Sequence, residues 1–182
     1  SVLEAMPKNT NVLFIGRKYA LEGDSAVSLE YKTITELKIP FVTLNTGRLQ
    51  RRLTKYTISS LFKLPLGIIK SLLALINFRP DVVVGFGGYV SVPVIFSAFI
   101  LRIPIVLHEQ TLEAGFANKL LAKLATKICI SWQSSQKYFP KDKVVFTGNP
   151  IRQMANGPLR SEAGKWQMAN RGKLPIIYIT GG

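Results

Sequence analysis

Asp81-Val82-Val83-Val84-Gly85-Phe86-Gly87-Gly88-Tyr89-Val90-Ser91-Val92-Pro93 is the stretch on which the fold turns. Its β-branched start reads as a buried parallel strand, its glycines as a turn, and Ser91 to Pro93 as the opening of a helix, with Ser91 as N-cap. From Val82 to Leu101 no residue is charged, a length that a bilayer span would need. The glycines at 85, 87 and 88 and the proline at 93 break that run, so strand, turn and helix is the better reading.

Working outward, similar apolar strands recur at intervals too long for hairpins: Asn11–Gly16, Phe41–Leu44, Ile103–His108, Lys127–Ser131, Lys143–Thr147 and Pro175–Thr180. Stretches of helical period lie between them at Thr57–Asn77, Ser91–Leu101 and Gly115–Ala125. Continuous apolar strands alternating with helices predict an α/β chain, a parallel sheet covered by helices on both faces. Ligands of such sheets bind at the carboxyl ends of the strands, so polar or glycine clusters there are candidate sites.

The chain has 182 residues, 47% of them apolar and 19% charged, which excludes a disordered tail. Lys and Arg number 24 against 10 acids, a net charge of +14 that calls for an anionic partner. One cysteine, Cys129, and one histidine, His108, exclude a disulfide framework and a His-rich zinc site, so no metal or cofactor is expected. Ser1 to Met6 reads as the last turns of a helix, and Ile176 to Gly182 as a strand running into a glycine turn. No apolar leader precedes the first strand. The expected organisation is a Rossmann-like domain over 1–152, a connection over 153–174 with a short helix around Ser161–Ala169, and the first strand of a second domain over 175–182.

Between Glu36 and Asp81 there is no acid, while eight bases are interleaved with large apolar residues. Arg51, Arg52, Lys55, Phe62, Lys63, Leu64, Leu66, Ile69 and Lys70 form a basic, oily stretch, with Lys63–Gly67 expected to interrupt the helix. One reading is contact with an anionic membrane surface. The other is a solvated basic face on an ordinary core helix. Nucleic acid would want stacking aromatics along a groove and fewer Leu and Ile, so it is not expected.

Three clusters follow strands. The turn Gly85–Ser91 could receive an anion at a helix N-terminus, or merely pack strand against helix. It matches neither GxGxxG nor a Walker A loop. His108, Glu109, Gln110 and Thr111 emerge from a buried strand. A lone histidine there often satisfies a neighbouring carbonyl, whereas Glu109 needs a partner and could orient a hydroxyl, hold His108 or act as a base. Thr147-Gly148-Asn149-Pro150-Ile151-Arg152 places Arg152 to meet a phosphate or carboxylate, or leaves it a surface arginine.

In this order, GFGGYVSVP, IPIVLHEQ and KVVFTGNPIR resemble the N-terminal half of the MurG family, from about Asn11 to Arg152, and the final ITGG resembles the opening of that family's second domain. The resemblance implies a two-domain GT-B fold and an inverting transfer of N-acetylglucosamine. The donor would be UDP-GlcNAc and the acceptor lipid I, an undecaprenyl-diphosphate-linked muramoyl pentapeptide. The product would be lipid II in bacterial peptidoglycan synthesis, made by a peripheral enzyme on the cytoplasmic face of the membrane. It assigns Gly87, Gly88, Tyr89 and Ser91, with His108, Glu109 and Gln110, to the acceptor diphosphate, and Arg152 and Thr111 to the donor. Thr111 stands where the family usually has Asn. The family's first strand and glycine loop, with the histidine often proposed as base, would lie before Ser1. His108 and Glu109 would then support catalysis, and this chain alone would be inactive. Two alternatives remain from sequence: a non-catalytic membrane-anchoring subunit of a split GT-B transferase, and a GT-B enzyme acting on another glycolipid.

Overall fold

A computed structural model describes residues 2–7, 9–19, 26–44, 55–150 and 176–179, with the backbone alone for 55–63 and 176–179. Strands β1 (Val12–Gly16), β2 (Phe41–Thr43), β3 (Val82–Gly85), β4 (Ile105–Glu109), β5 (Lys127–Ile130), β6 (Val144–Phe146) and β7 (Ile176–Ile179) alternate with helices. These are α1 (Val2–Ala5), α2 (Leu29–Glu36), α3 (Lys55–Phe78), α4 (Ser91–Ile100) and α5 (Phe116–Leu121). All seven strands pair in parallel, in the order β2-β1-β7-β3-β4-β5-β6. Ile15, Val83, Leu107 and Ile128, one from each of four strands, are fully buried with Val94, Ile95 and Ala98 of α4. That shared core fixes the carboxyl ends of β3 and β4 side by side.

The structure adds one placement and corrects two expectations. First, β7 lies between β1 and β3, with Val12 and Val82 both in register with Ile176. Without a strand in that place β1 and β3 would each present an unpaired row of backbone donors and acceptors. Second, α3 runs through Pro65 without interruption. An interior proline costs about 3 kcal/mol, and here it is offset by packing of the following turns on α4. Ser71 Oγ donates to the Gly67 carbonyl at 2.7 Å, Ser97 Oγ reaches Ile68 O at 3.2 Å, and Leu75 is buried. Third, Ser91 is not the N-cap of α4; Val90 holds that position with no side-chain cap. The connection 153–174, with its expected helix, lies outside the described residues.

Candidate functional site

β3 ends at Gly85, where a Cβ would come within 3.1 Å of Leu107 and 3.2 Å of Ile95, so a side chain there would press on both neighbours. The chain then turns through Gly87 and Gly88, at φ 87° and 74°, the left-handed region that glycine enters without steric cost. Ser91 is fully buried and its hydroxyl donates back to Gly88 O at 2.7 Å, closing the turn against the start of α4. Tyr89 lies under the guanidinium of Arg17, 5.0 Å from its ring centre. The uncapped start of a ten-residue helix therefore stands beside an arginine, an electropositive corner.

Opposite the turn, Glu109 ends β4 and is almost wholly buried. Its Oε1 accepts from the Thr111 N–H at 3.0 Å and lies 2.6 Å from the Thr111 hydroxyl; its Oε2 accepts from Gly115 N–H at 2.9 Å and Asn118 Nδ2 at 3.0 Å. Burial pushes its pKa up, but the hydrogen bonds from Thr111, Gly115 and Asn118 outweigh that and hold the carboxyl below its ordinary value. A carboxylate so fully committed braces the 111–118 loop and is a poor general base. The Thr111 hydroxyl is committed in turn, also 2.6 Å from Glu113 O.

His108 leaves the strand on the other side, buried against Phe86 at 5.5 Å between ring centres, with Nε2 3.2 Å from Gly148 O. That contact makes Nε2 the protonated nitrogen and leaves the buried Nδ1 without a hydrogen-bond partner. Burial lowers its pKa more than the Gly148 carbonyl and Glu109 raise it, so the ring is neutral at pH 7. Gln110 is exposed, and its carbonyl accepts from Trp132 Nε1 at 3.2 Å. Buried Ser135 reaches the carbonyls of Thr111 and Leu112 at 3.1 and 2.9 Å.

The turn and the braced loop thus face each other across one cleft of about 320 Å³, lined by Gly87, Gly88, Tyr89, Glu109, Gln110, Thr111, Phe116, Asn118 and Leu120 among others. Six of the residues singled out from sequence meet in that cleft, and Ser91 supports its floor from behind. Arg152, Arg51 and Arg52 lie outside the described residues, as do the side chains of Lys55, Phe62 and Lys63. Leu64 is not exposed but partly buried against the core. Leu66, Ile69 and Lys70 are exposed. With Leu73 and Ile76 of α3 and Phe96, Phe99 and Ile100 of α4 they form an oily face on two adjacent helices. Among the described residues no helix is long and apolar enough to cross a membrane, and no group of three His, Cys, Asp or Glu side chains could hold a metal.

Residues 24–130 match the glycosyltransferase family 28 N-terminal domain. The chain belongs to glycosyltransferase family 28. Its relatives include UDP-N-acetylglucosamine--N-acetylmuramyl-(pentapeptide) pyrophosphoryl-undecaprenol N-acetylglucosamine transferases. Those of Borrelia hermsii and Legionella pneumophila are 33% and 35% identical over all of this chain, which covers 48% of each. The family 28 chain therefore spans about half the length of the curated relatives it matches. Among solved structures it superposes on Acinetobacter baumannii MurG with a TM-score of 0.57 at 24% identity, covering 81% of this chain and 47% of that one. It also superposes on a UDP-GlcNAc 2-epimerase from Neisseria meningitidis with a TM-score of 0.52 at 16% identity, covering 76% and 46%. These likenesses establish the doubly wound α/β fold of a GT-B N-terminal domain. In this family 28 domain, Asn118, Trp132 and Ser135 carry the loop geometry although no sequence pattern marks them. An Asn on a helix or a Ser after a strand gives no outward sign of which backbone atom it serves.

Proposed function

We propose that this chain is the acceptor-side domain of an inverting hexosyltransferase that moves N-acetylglucosamine from UDP-GlcNAc to lipid I, forming lipid II in bacterial peptidoglycan synthesis. The observation that carries the reading is the cleft in which a glycine turn at a helix start faces a loop braced by Glu109. Backbone donors and the helix end suit a diphosphate, and the family membership supplies the sugar-transfer chemistry. Gly87, Gly88, Tyr89 and Gln110 are the acceptor contacts in this reading; Ser91, His108 and Glu109 keep their shape. The muramoyl 4-hydroxyl loses its proton to a base other than Glu109 and attacks the anomeric carbon. UDP leaves, with Arg152 and Thr111 as its donor contacts in this reading.

The oily face of α3 and α4, with Lys70, Arg79 and Arg102 on or beside the same elements, supports peripheral attachment to the anionic cytoplasmic face of the cell membrane. A protein extended to the length of its relatives is expected to transfer GlcNAc to lipid I. Use of soluble sugar acceptors alone would overturn the assignment. In the same protein Ile69→Asp with Leu73→Asp should cut co-sedimentation with phosphatidylglycerol vesicles by about tenfold or more, each charge at an apolar boundary costing on the order of a kcal/mol or more.

A further inference from the structure

Asn118 of α5 is 2% exposed, so its amide is sealed from solvent. Its Nδ2 donates to Glu109 Oε2 at 3.0 Å and lies 3.3 Å from His108 O. Both are acceptors, which fixes which end of the amide is nitrogen: the reverse orientation would set a carbonyl oxygen against a carboxylate. Oδ1 consequently points away from Glu109, buried and without a hydrogen-bond partner. The face of the amide lies over the glycine turn. A Cβ on Gly87 would stand 3.1 Å from Asn118 Nδ2 and 3.2 Å from Oδ1, so the flat amide lies directly against the Gly87 backbone.

The geometry points to Asn118 as a positioning residue that sets the Gly87–Gly88 turn against the Glu109-braced loop, holding both walls of the cleft in register for a diphosphate ester. This rests on the acceptor reading above and names the group that keeps its diphosphate subsite in shape. Gly87 is glycine for two reasons at once, its positive φ and the amide lying on it. Asn is suited to position 118 because only an amide of this length donates to Glu109 with one end while packing flat on the turn. Aspartate has the same shape but no donor, and would put a second carboxylate beside Glu109.

The test uses the 182-residue chain labelled with nitrogen-15, titrated with farnesyl diphosphate and followed by amide signals and calorimetry. Asn118→Ala is expected to weaken farnesyl diphosphate binding about tenfold and to shift the amide signals of Gly87, Gly88, Thr111 and Gly115. Asn118→Asp should weaken it further at pH 8 and recover relative to wild type at pH 5.5, where protonation of the introduced carboxyl restores a donor to Glu109. His108, the other titratable group on β4, is common to all proteins compared. Wild-type affinity in both variants, or a loss of affinity with unmoved Gly87 and Gly88 signals, would overturn the proposal. Failure of the wild type to bind farnesyl diphosphate would instead count against the acceptor reading. The amide signals then decide the bridge alone: shifted in Asn118→Ala they support it, unmoved they refute it.

Discussion

His108 and Glu109 are consecutive on β4, so their side chains leave on opposite faces and meet different surroundings. Glu109 gathers donors; His108 gains one carbonyl and loses solvent. Because burial depresses the folded-state pKa of His108, the unfolded chain binds the proton more readily. The stability this neutral ring contributes is fully present above about pH 6.5, the ordinary histidine value, and is lost as pH falls toward the lower folded pKa. The urea midpoint of the wild type should therefore drop between pH 7 and 5, and His108→Gln should flatten that drop; an equally steep profile in the variant would refute the account. In sequence, Glu109 is already conspicuous, since a carboxylate at the end of a buried strand must find partners. Its partners are not legible there, because Gly115 N–H and Asn118 reach it only through the shape of a loop. Ser91 looks like a cap, yet a buried hydroxyl beside Gly88 O bonds the turn instead.

At the scale of elements, the strands and the glycine turn are readable to within a residue or two, because continuous apolar runs and adjacent glycines leave few other structures. The course of α3 is not, since the cost of Pro65 is local while the packing that offsets it comes from α4. The ends of three helices also carry an unusual choice. Lys38, Arg79 and Arg102 follow α2, α3 and α4 at φ 56°, 52° and 57°, where glycine is the easy residue. A side chain there costs about 1–2 kcal/mol, partly returned by a positive charge at a helix C-terminus. Arg79 and Arg102 close the two helices that bear the oily face. Arg79→Gly and Arg102→Gly are each expected to raise unfolding stability by about 0.5–1 kcal/mol. Each should also weaken binding to anionic vesicles about fivefold, the worth of one base at a charged bilayer. A variant that gained stability and kept its vesicle affinity would leave these arginines without a role at the membrane.

Over the whole molecule, net charge +14 and the apolar face act together, so vesicle binding should fall steeply with added salt. The class of sheet is legible from sequence, but its membership is not. An apolar run such as Ile176-Ile177-Tyr178-Ile179 declares a buried parallel strand without declaring whose neighbour it is. Removing residues 175–182 should leave β1 and β3 with bare inner edges. The shortened chain is expected to lose its single cooperative unfolding transition and to aggregate; a sharp, concentration-independent transition would show that the sheet stands without β7.

The position of β7 also dictates when the fold can be finished. Among the described strands, β7 alone pairs with both the β2-β1 group and the β3-to-β6 group. Ile176 meets Val12 across a span of chain far longer than a hairpin, and a closure that distant is expected to make the joining of the two groups a late and slow event in folding.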